Sequence, residues 1–344
     1  MRIIGAAIVL LCHLRHFAFD RMGLSSPTLD WIFNYLSAPT LAVFFAMSGF
    51  VLVQSLQKSS ARQFILNRLV RVYPAYWVAV GLAIFLKCAQ GNRFFWDSRL
   101  IPGLMLIPVG VGRADYRLGV EWTLVFEIFF YAALGVMLLF SRRRGPMIGA
   151  ALWLAVIIGC VCCRRTGAYD PLPNWTEIAF SPLAAPFLMG ALAAPLMRFA
   201  GHLRLVCPVI VPALFAASKL IERWEVGALV IGAGAALAVL WASAVRQLSS
   251  ENPLVIYGDA SYGVYLLHVP VITAVIDASL FRQWAHPSFD LVGVAGFAAI
   301  LVGLIYGRCE AAVYKRVRNW LRSRGGPPKP RLTIHVPEAA ARAA

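Results

Sequence analysis

In RIIGAAIVLLCH, residues 2–13, an arginine and a histidine enclose ten positions that are almost wholly apolar. Eleven residues of helix rise about 16 Å over about three turns. Arg2 and His13 therefore share one face, with Arg2 at the end of the segment and His13 near mid-membrane. A lone histidine there reads equally well as a satisfied core residue, but His13 has company. WTLVFEIFFY (122–131) carries Glu127 with Tyr131 at i+4. GDASYGVYLLH (258–268) carries Ser261, Tyr265 and His268 at i, i+4 and i+7, a polar stripe on an apolar helix. FFAMSGF (44–50) sets Ser48 beside Gly49. A buried neutral imidazole steadied by a carboxylate can take a proton from a hydroxyl, and phenols can donate to a developing oxyanion. Each residue also has a plain packing explanation. Glu127 or the stripe can bond a neighbouring helix, and Ser48-Gly49 reads more readily as a close helix approach, since no G-x-S-x-G elbow surrounds Ser48. Their coincidence at one depth, from four helices, argues for a common site.

A second feature is FILNRLVRVYPAYW (64–77), where Arg68 and Arg71 are i, i+3 neighbours just before Pro74. Guanidinium forks suit phosphate; the plainer reading is interfacial charge on snorkelling stems.

The elements that must hold these residues are membrane helices. Hydrophobic residues make up 60% of the 344-residue chain and charged ones 14%, with a mean hydropathy of +0.71. Soluble proteins carry roughly 25% charged residues. Apolar windows near the length that crosses a ~30 Å hydrocarbon core fall at about 2–19, 36–56, 72–89, 119–140, 147–163, 180–198, 205–219, 226–245, 257–278 and 289–307. The expected fold is an all-α polytopic bundle of about ten transmembrane helices. One domain is expected over 1–322, with a flexible tail over 323–344. The opening is read as an uncleaved first helix, because Leu11 stands before Cys12 where lipoprotein processing wants a small residue.

The net charge of +16 sits in short loops, so it reads as topology rather than nucleic-acid binding. Alternate loops carry Lys58, Arg62, Arg68 and Arg71, then Arg142, Arg143 and Arg144, then Arg198 and Arg204, then Arg246, and finally Lys315, Arg316, Arg318, Arg322 and Arg324. The positive-inside rule places these, and both termini, in the cytoplasm. The long 90–118 loop, with Arg93, Arg99, Arg113 and Arg117, is the exception. The seven cysteines have no metal-ligand spacing and read as buried free thiols; no metal is expected.

These stretches resemble the acyltransferase-3 family of integral membrane O-acyltransferases, which acylate surface carbohydrates such as O-antigen, exopolysaccharide and nodulation factors. Arg2-x10-His13, FFAMSGFVL, Arg68-x2-Arg71-x2-Pro74, WTLVFEIFFY and SYGVYLLHVP resemble its blocks in order, from residue 2 to about 307. Only Met1 precedes Arg2, where family members have several residues, which fits a start further upstream. Ile128 and Phe129 replace a polar pair that commonly follows the glutamate. The resemblance implies a cytoplasmic acyl-CoA donor, usually acetyl-CoA, no tightly bound cofactor, and a carbohydrate or glycolipid acceptor at a multi-pass protein of the inner (plasma) membrane. On this reading Arg2, Arg68 and Arg71 hold donor phosphates and His13 is the base. Glu127 orients it, and Ser48, Tyr131, Ser261, Tyr265 and His268 support the pocket. A transporter or flippase of lipid-linked saccharides is the competing reading. It would typically show internal repeats and paired helix breaks, and neither is visible in the sequence.

Overall fold

The computed structural model describes residues 2–56, 60–141, 144–166, 169–244, 249, 252–281 and 286–324. Lys58, Arg142, Arg143, Arg246, the side chains of Arg2, Arg322 and Arg324, and the tail from residue 325 onward lie outside the described residues. The chain folds as α1 (Arg2–Leu14), α2 (Pro27–Leu56), α3 (Ala61–Ala89), α4 (Glu121–Phe140), α5 (Gly145–Cys162), α6 (Ala185–Ala193), α7 (Cys207–Lys219), α8 (Trp224–Ala244), α9 (Pro253–Phe281) and α10 (Phe289–Arg324). Among the described residues there is no named strand, and nine stretches are long and apolar enough to cross a bilayer. Helices suit that medium because every backbone polar group is satisfied within the segment.

Several helices outrun their apolar windows. α2 starts at Pro27 rather than near 36, and α3 at Ala61 rather than near 72. Arginines lower the hydropathy of the first turns of α3 without weakening them as helix, and the Ser60 hydroxyl caps the start by accepting from the Gln63 N–H at 3.2 Å. α3 and α9 run straight through Pro74 and Pro270, as bundle helices tolerate. The tenth expected span, 205–219, is the 13-residue α7, about 20 Å long and too short to cross by length alone. Its surroundings still lead from one face to the other. Arg204, just before it, donates to the Ala244 carbonyl ending α8, whereas Lys219, closing it, donates to the Asn34 carbonyl of α2 at 2.8 Å. α1 begins and α10 ends on the same side, here the N-terminal face. Lys315 meets Asp259 there at 3.0 Å, while Arg21 meets Asp277 at 3.0 Å on the opposite face.

Glycines set the tightest crossings. A Cβ on Gly49 of α2 would lie 2.0 Å from the Phe187 carbonyl oxygen, and one on Gly190 of α6 lies 2.0 Å from the Ala46 oxygen. α9 and α10 meet through Gly263, Gly303 and Gly307; a Cβ on Gly263 would stand 2.4 Å from the Gly307 Cα. This is small-residue packing of the kind membrane helices use in place of a hydrophobic drive.

The 90–118 connection folds back into the bundle. Its short turn Leu100–Leu104 is level with the middle of α3, which supplies three side-chain donors. Tyr73 bonds the Met105 carbonyl (2.7 Å), Tyr76 that of Gly103 (2.9 Å) and Trp77 that of Leu104 (3.0 Å). Irregular backbone at this depth requires such partners. The connection's arginines also find carboxylates, Arg99 with Asp97 and Arg117 with Asp115. Burial and the nearby Glu121 carboxylate push the Tyr116 phenol up to about 12, so it stays un-ionised at physiological pH. The cysteines correct the expectation of burial. Cys207 is buried, but Cys88, Cys162, Cys163 and Cys309 are exposed at helix ends or on outward faces of the bundle.

Candidate active site

His13 is the last but one residue of α1, and the chain continues without a break into a π-helical turn, Arg15–Phe19. Such turns insert an extra residue and re-aim the helix, often at functional positions. The His13 ring meets Phe17 edge-on, with centroids 5.6 Å apart. On its other side His13 Nδ1 lies 2.6 Å from Nε2 of His268 on α9, the rings within 6° of parallel. His268 is 1% exposed, and its Nδ1 lies 3.0 Å from the Val264 carbonyl oxygen.

That chain of contacts fixes the protons of the neutral pair. A carbonyl only accepts, so His268 Nδ1 carries its hydrogen and Nε2 presents a lone pair. His13 Nδ1 must then donate, which leaves His13 Nε2 bare. A bare imidazole nitrogen at the wall of a cavity can accept a proton.

The cavity holds about 540 Å³. At one end stand Arg68 and Arg71, in the second and third turns of α3; at the other stand Lys219, Trp224 and Tyr169. His13, Ser48, Glu127, Tyr131, Ser261 and Tyr265 line it between those ends. The structure thus brings nine of the ten expected residues to one cavity or its immediate second layer, His268 lying behind His13. The tenth, Arg2, has its side chain outside the described residues.

The pairings differ from expectation. Glu127 accepts a short hydrogen bond from Tyr131, and the ring that holds His13 belongs to His268. Tyr265 and Thr123 share a short hydrogen bond, with both hydroxyls near the Val120 carbonyl. Ser261 donates to the Gly258 carbonyl at 2.7 Å. Ser48 makes no hydrogen bond among the described residues; its neighbour Gly49 provides the close crossing.

At the N-terminal face Arg68 donates to the Ser55 hydroxyl at 3.2 Å and lies over the rings of Phe64 and Tyr131. Arg71 pairs with Glu310 of α10 and lies over Tyr262 and Tyr314. The sequence reading missed Glu310 because the α10 window stops at 307, while the helix continues to Arg324. An acidic residue three positions past an apolar run, amid basic ones, was the available signal. Thr123 stands within WTLVFE, yet no spacing rule distinguishes it.

The chain matches the acyltransferase-3 family, described as an acyltransferase domain, over residues 1–308. It is 27% identical over 342 residues to nodulation protein 10 of Rhizobium leguminosarum bv. viciae, covering 89% of this chain and 90% of that one. It is also 27% identical over 306 residues to the exopolysaccharide production protein ExoZ of Rhizobium meliloti (strain 1021), covering 84% and 91%. No solved structure matches significantly. The match supports acyl transfer over transport as the activity: the chain is a multi-pass membrane protein that belongs to the acyltransferase-3 family.

Proposed function

We propose that this protein moves an acyl group, usually acetyl, from acyl-CoA in the cytoplasm to a hydroxyl of a surface or exported carbohydrate. The carrying observation is the His13–His268–Val264 chain in the wall of a cavity lined from one face to the other. The carbohydrate acceptor rests on the family and on the relative named for exopolysaccharide production.

The N-terminal face is assigned to the cytoplasm. Arg62, Arg68, Arg71, Arg144, Arg198, Arg204, Lys315, Arg316 and Arg318 gather there, whereas Arg99, Arg117 and Arg223 of the opposite face pair with acids. An inner (plasma) membrane location fits this orientation, because CoA is then available on the arginine side. Arg68 and Arg71, with Arg2 as a further expected contributor, would hold the donor phosphates. The thioester then lies toward His13, and the acceptor hydroxyl approaches from the end formed by Lys219, Trp224 and Tyr169.

In the reaction His13 Nε2 takes the hydroxyl proton as that oxygen attacks the thioester carbonyl. The new C–O bond forms, the C–S bond breaks, and the imidazolium returns its proton to the departing thiolate. The products are an ester and free CoA thiol. His268 keeps His13 in the required tautomer and shares the transient charge. Ser48, whose hydroxyl makes no hydrogen bond among the described residues, is the wall hydroxyl proposed to donate to the oxyanion.

The test is mass spectrometry of surface glycans from cells with the gene, without it, and with His13→Ala at equal membrane abundance. A mass difference of one acyl group is expected only with the unaltered protein. Its presence in the His13→Ala cells would remove His13 as the base.

A further inference from the structure

α10 continues well past the length that crosses a bilayer, and its extension carries an ordered polar face. Glu310, Tyr314 and Arg318 follow one another at i, i+4 and i+8, so they form one stripe. The stripe faces α3: Glu310 pairs with Arg71, whose guanidinium carbon lies 5.0 Å from the Tyr262 ring centre and 5.1 Å from that of Tyr314. Arg318 lies 5.6 Å from the same Tyr314 ring. One tyrosine is thus flanked by two arginines, one at the cavity mouth and one about two turns farther from the membrane than Glu310.

The charges of this patch are unbalanced. Arg71 has Glu310 and Lys315 has Asp259, but Arg68 and Arg318 make no ion pair among the described residues. The Nε–H groups of Arg68 and Arg318 are buried and without a hydrogen-bond partner among those residues. Buried unsatisfied donors carry a penalty that a bound acceptor relieves. Two unpaired guanidiniums in line with a cavity mouth match a ligand bearing several phosphates in sequence.

We infer that Arg318, steadied by Tyr314, forms a second phosphate subsite that binds the ribose 3′-phosphate of the donor's nucleotide. This rests on the acyl-CoA reading above. Along CoA the order outward from sulfur is the pantetheine arm, the pyrophosphate, then the ribose with its 3′-phosphate. Outward along the protein the order is the cavity, Arg68 and Arg71, then Arg318. The subsite makes the enzyme select a free CoA thioester over an acyl group carried on phosphopantetheine alone.

The experiment is equilibrium binding of CoA and of 3′-dephospho-CoA to the purified full chain in neutral-lipid nanodiscs. The unaltered protein is expected to prefer CoA by at least tenfold. Arg318→Gln should bring the ratio close to one, and Arg318→Lys should restore part of it, which separates charge recognition from a folding defect. Equal affinities in the unaltered protein, or a preference untouched by Arg318→Gln, would overturn the subsite. An arm in nanodiscs containing anionic lipid separates the other source of phosphate. If Arg318→Gln weakens only association with anionic lipid, the arginine serves a lipid headgroup and the inference fails. Absence of any CoA binding by the unaltered protein would instead overturn the donor reading, and the subsite with it.

Discussion

An imidazole works as a base when one nitrogen is bare and the other is held in the right tautomer. His13 meets both conditions through His268, whose far nitrogen is committed to the Val264 carbonyl. Both histidines stand out in the sequence because each interrupts an apolar helix. Their partnership does not, since 255 residues separate them and only the packing of α1 on α9 joins them. The nearest carboxylate in the reading of the residues, Glu127, is engaged by Tyr131 instead, through the i, i+4 spacing that was visible. A test at this scale compares substitutions of His268 by the rate of acyl transfer. His268→Leu removes the acceptor for His13 Nδ1–H and should lower the rate by on the order of 10²-fold or more. His268→Gln keeps an accepting oxygen and should lose clearly less. Equal losses would show that His268 matters for shape and not for the proton.

At the scale of elements, apolar windows located the helices but not their ends. Hydropathy averages fall wherever an arginine or glutamate appears, although those residues continue a helix as well as leucine does. So the apolar windows stop short of the turns of α3 before residue 72 and of α10 after 307, which carry Arg62, Arg68, Arg71, Glu310 and Arg318. Both stretches are helix, and Arg68 and Arg71 line one end of the cavity, with Glu310 paired to Arg71. The 90–118 connection reads in the sequence as a charged loop; its three bonds to α3 side chains arise from tertiary contact that no local pattern encodes. The Ser48-Gly49 pair was more legible, because adjacent small residues in an apolar helix signal close approach. Gly49→Ala would drive a methyl group into the Phe187 carbonyl, 2.0 Å from the ideal Cβ. A loss of about 1–3 kcal/mol is expected, seen as a lower thermal midpoint of the purified protein. Gly81→Ala, where nothing lies within 4 Å, should not lower that midpoint, because alanine favours a helix interior over glycine. A shift from Gly81→Ala as large as that from Gly49→Ala would mean the crossing is not the cause.

Across the whole molecule one cavity is lined from Arg68 and Arg71 at one end to Lys219, Trp224 and Tyr169 at the other. The bias in basic residues favours a cytoplasmic N-terminal face; on the opposite face Arg99, Arg117 and Arg223 have acidic partners, whereas Arg93, Arg113, Arg164 and Arg165 make no ion pair among the described residues. Cys163, the exposed residue closing α5, reports the orientation directly. As the sole cysteine it should react with a membrane-impermeant maleimide added outside spheroplasts. Labelling only after permeabilisation would reverse the bundle and put the arginine mouth on the wrong side for CoA.

Direct transfer inside that cavity is best examined by single-turnover kinetics on purified enzyme loaded with labelled acyl-CoA and mixed with a glycan acceptor. With His13→Ala the label should still bind, while its passage to the acceptor should slow by about 10²–10⁴-fold, the range for loss of a positioned base. Transfer at the unaltered rate, with the imidazole gone, would contradict the account.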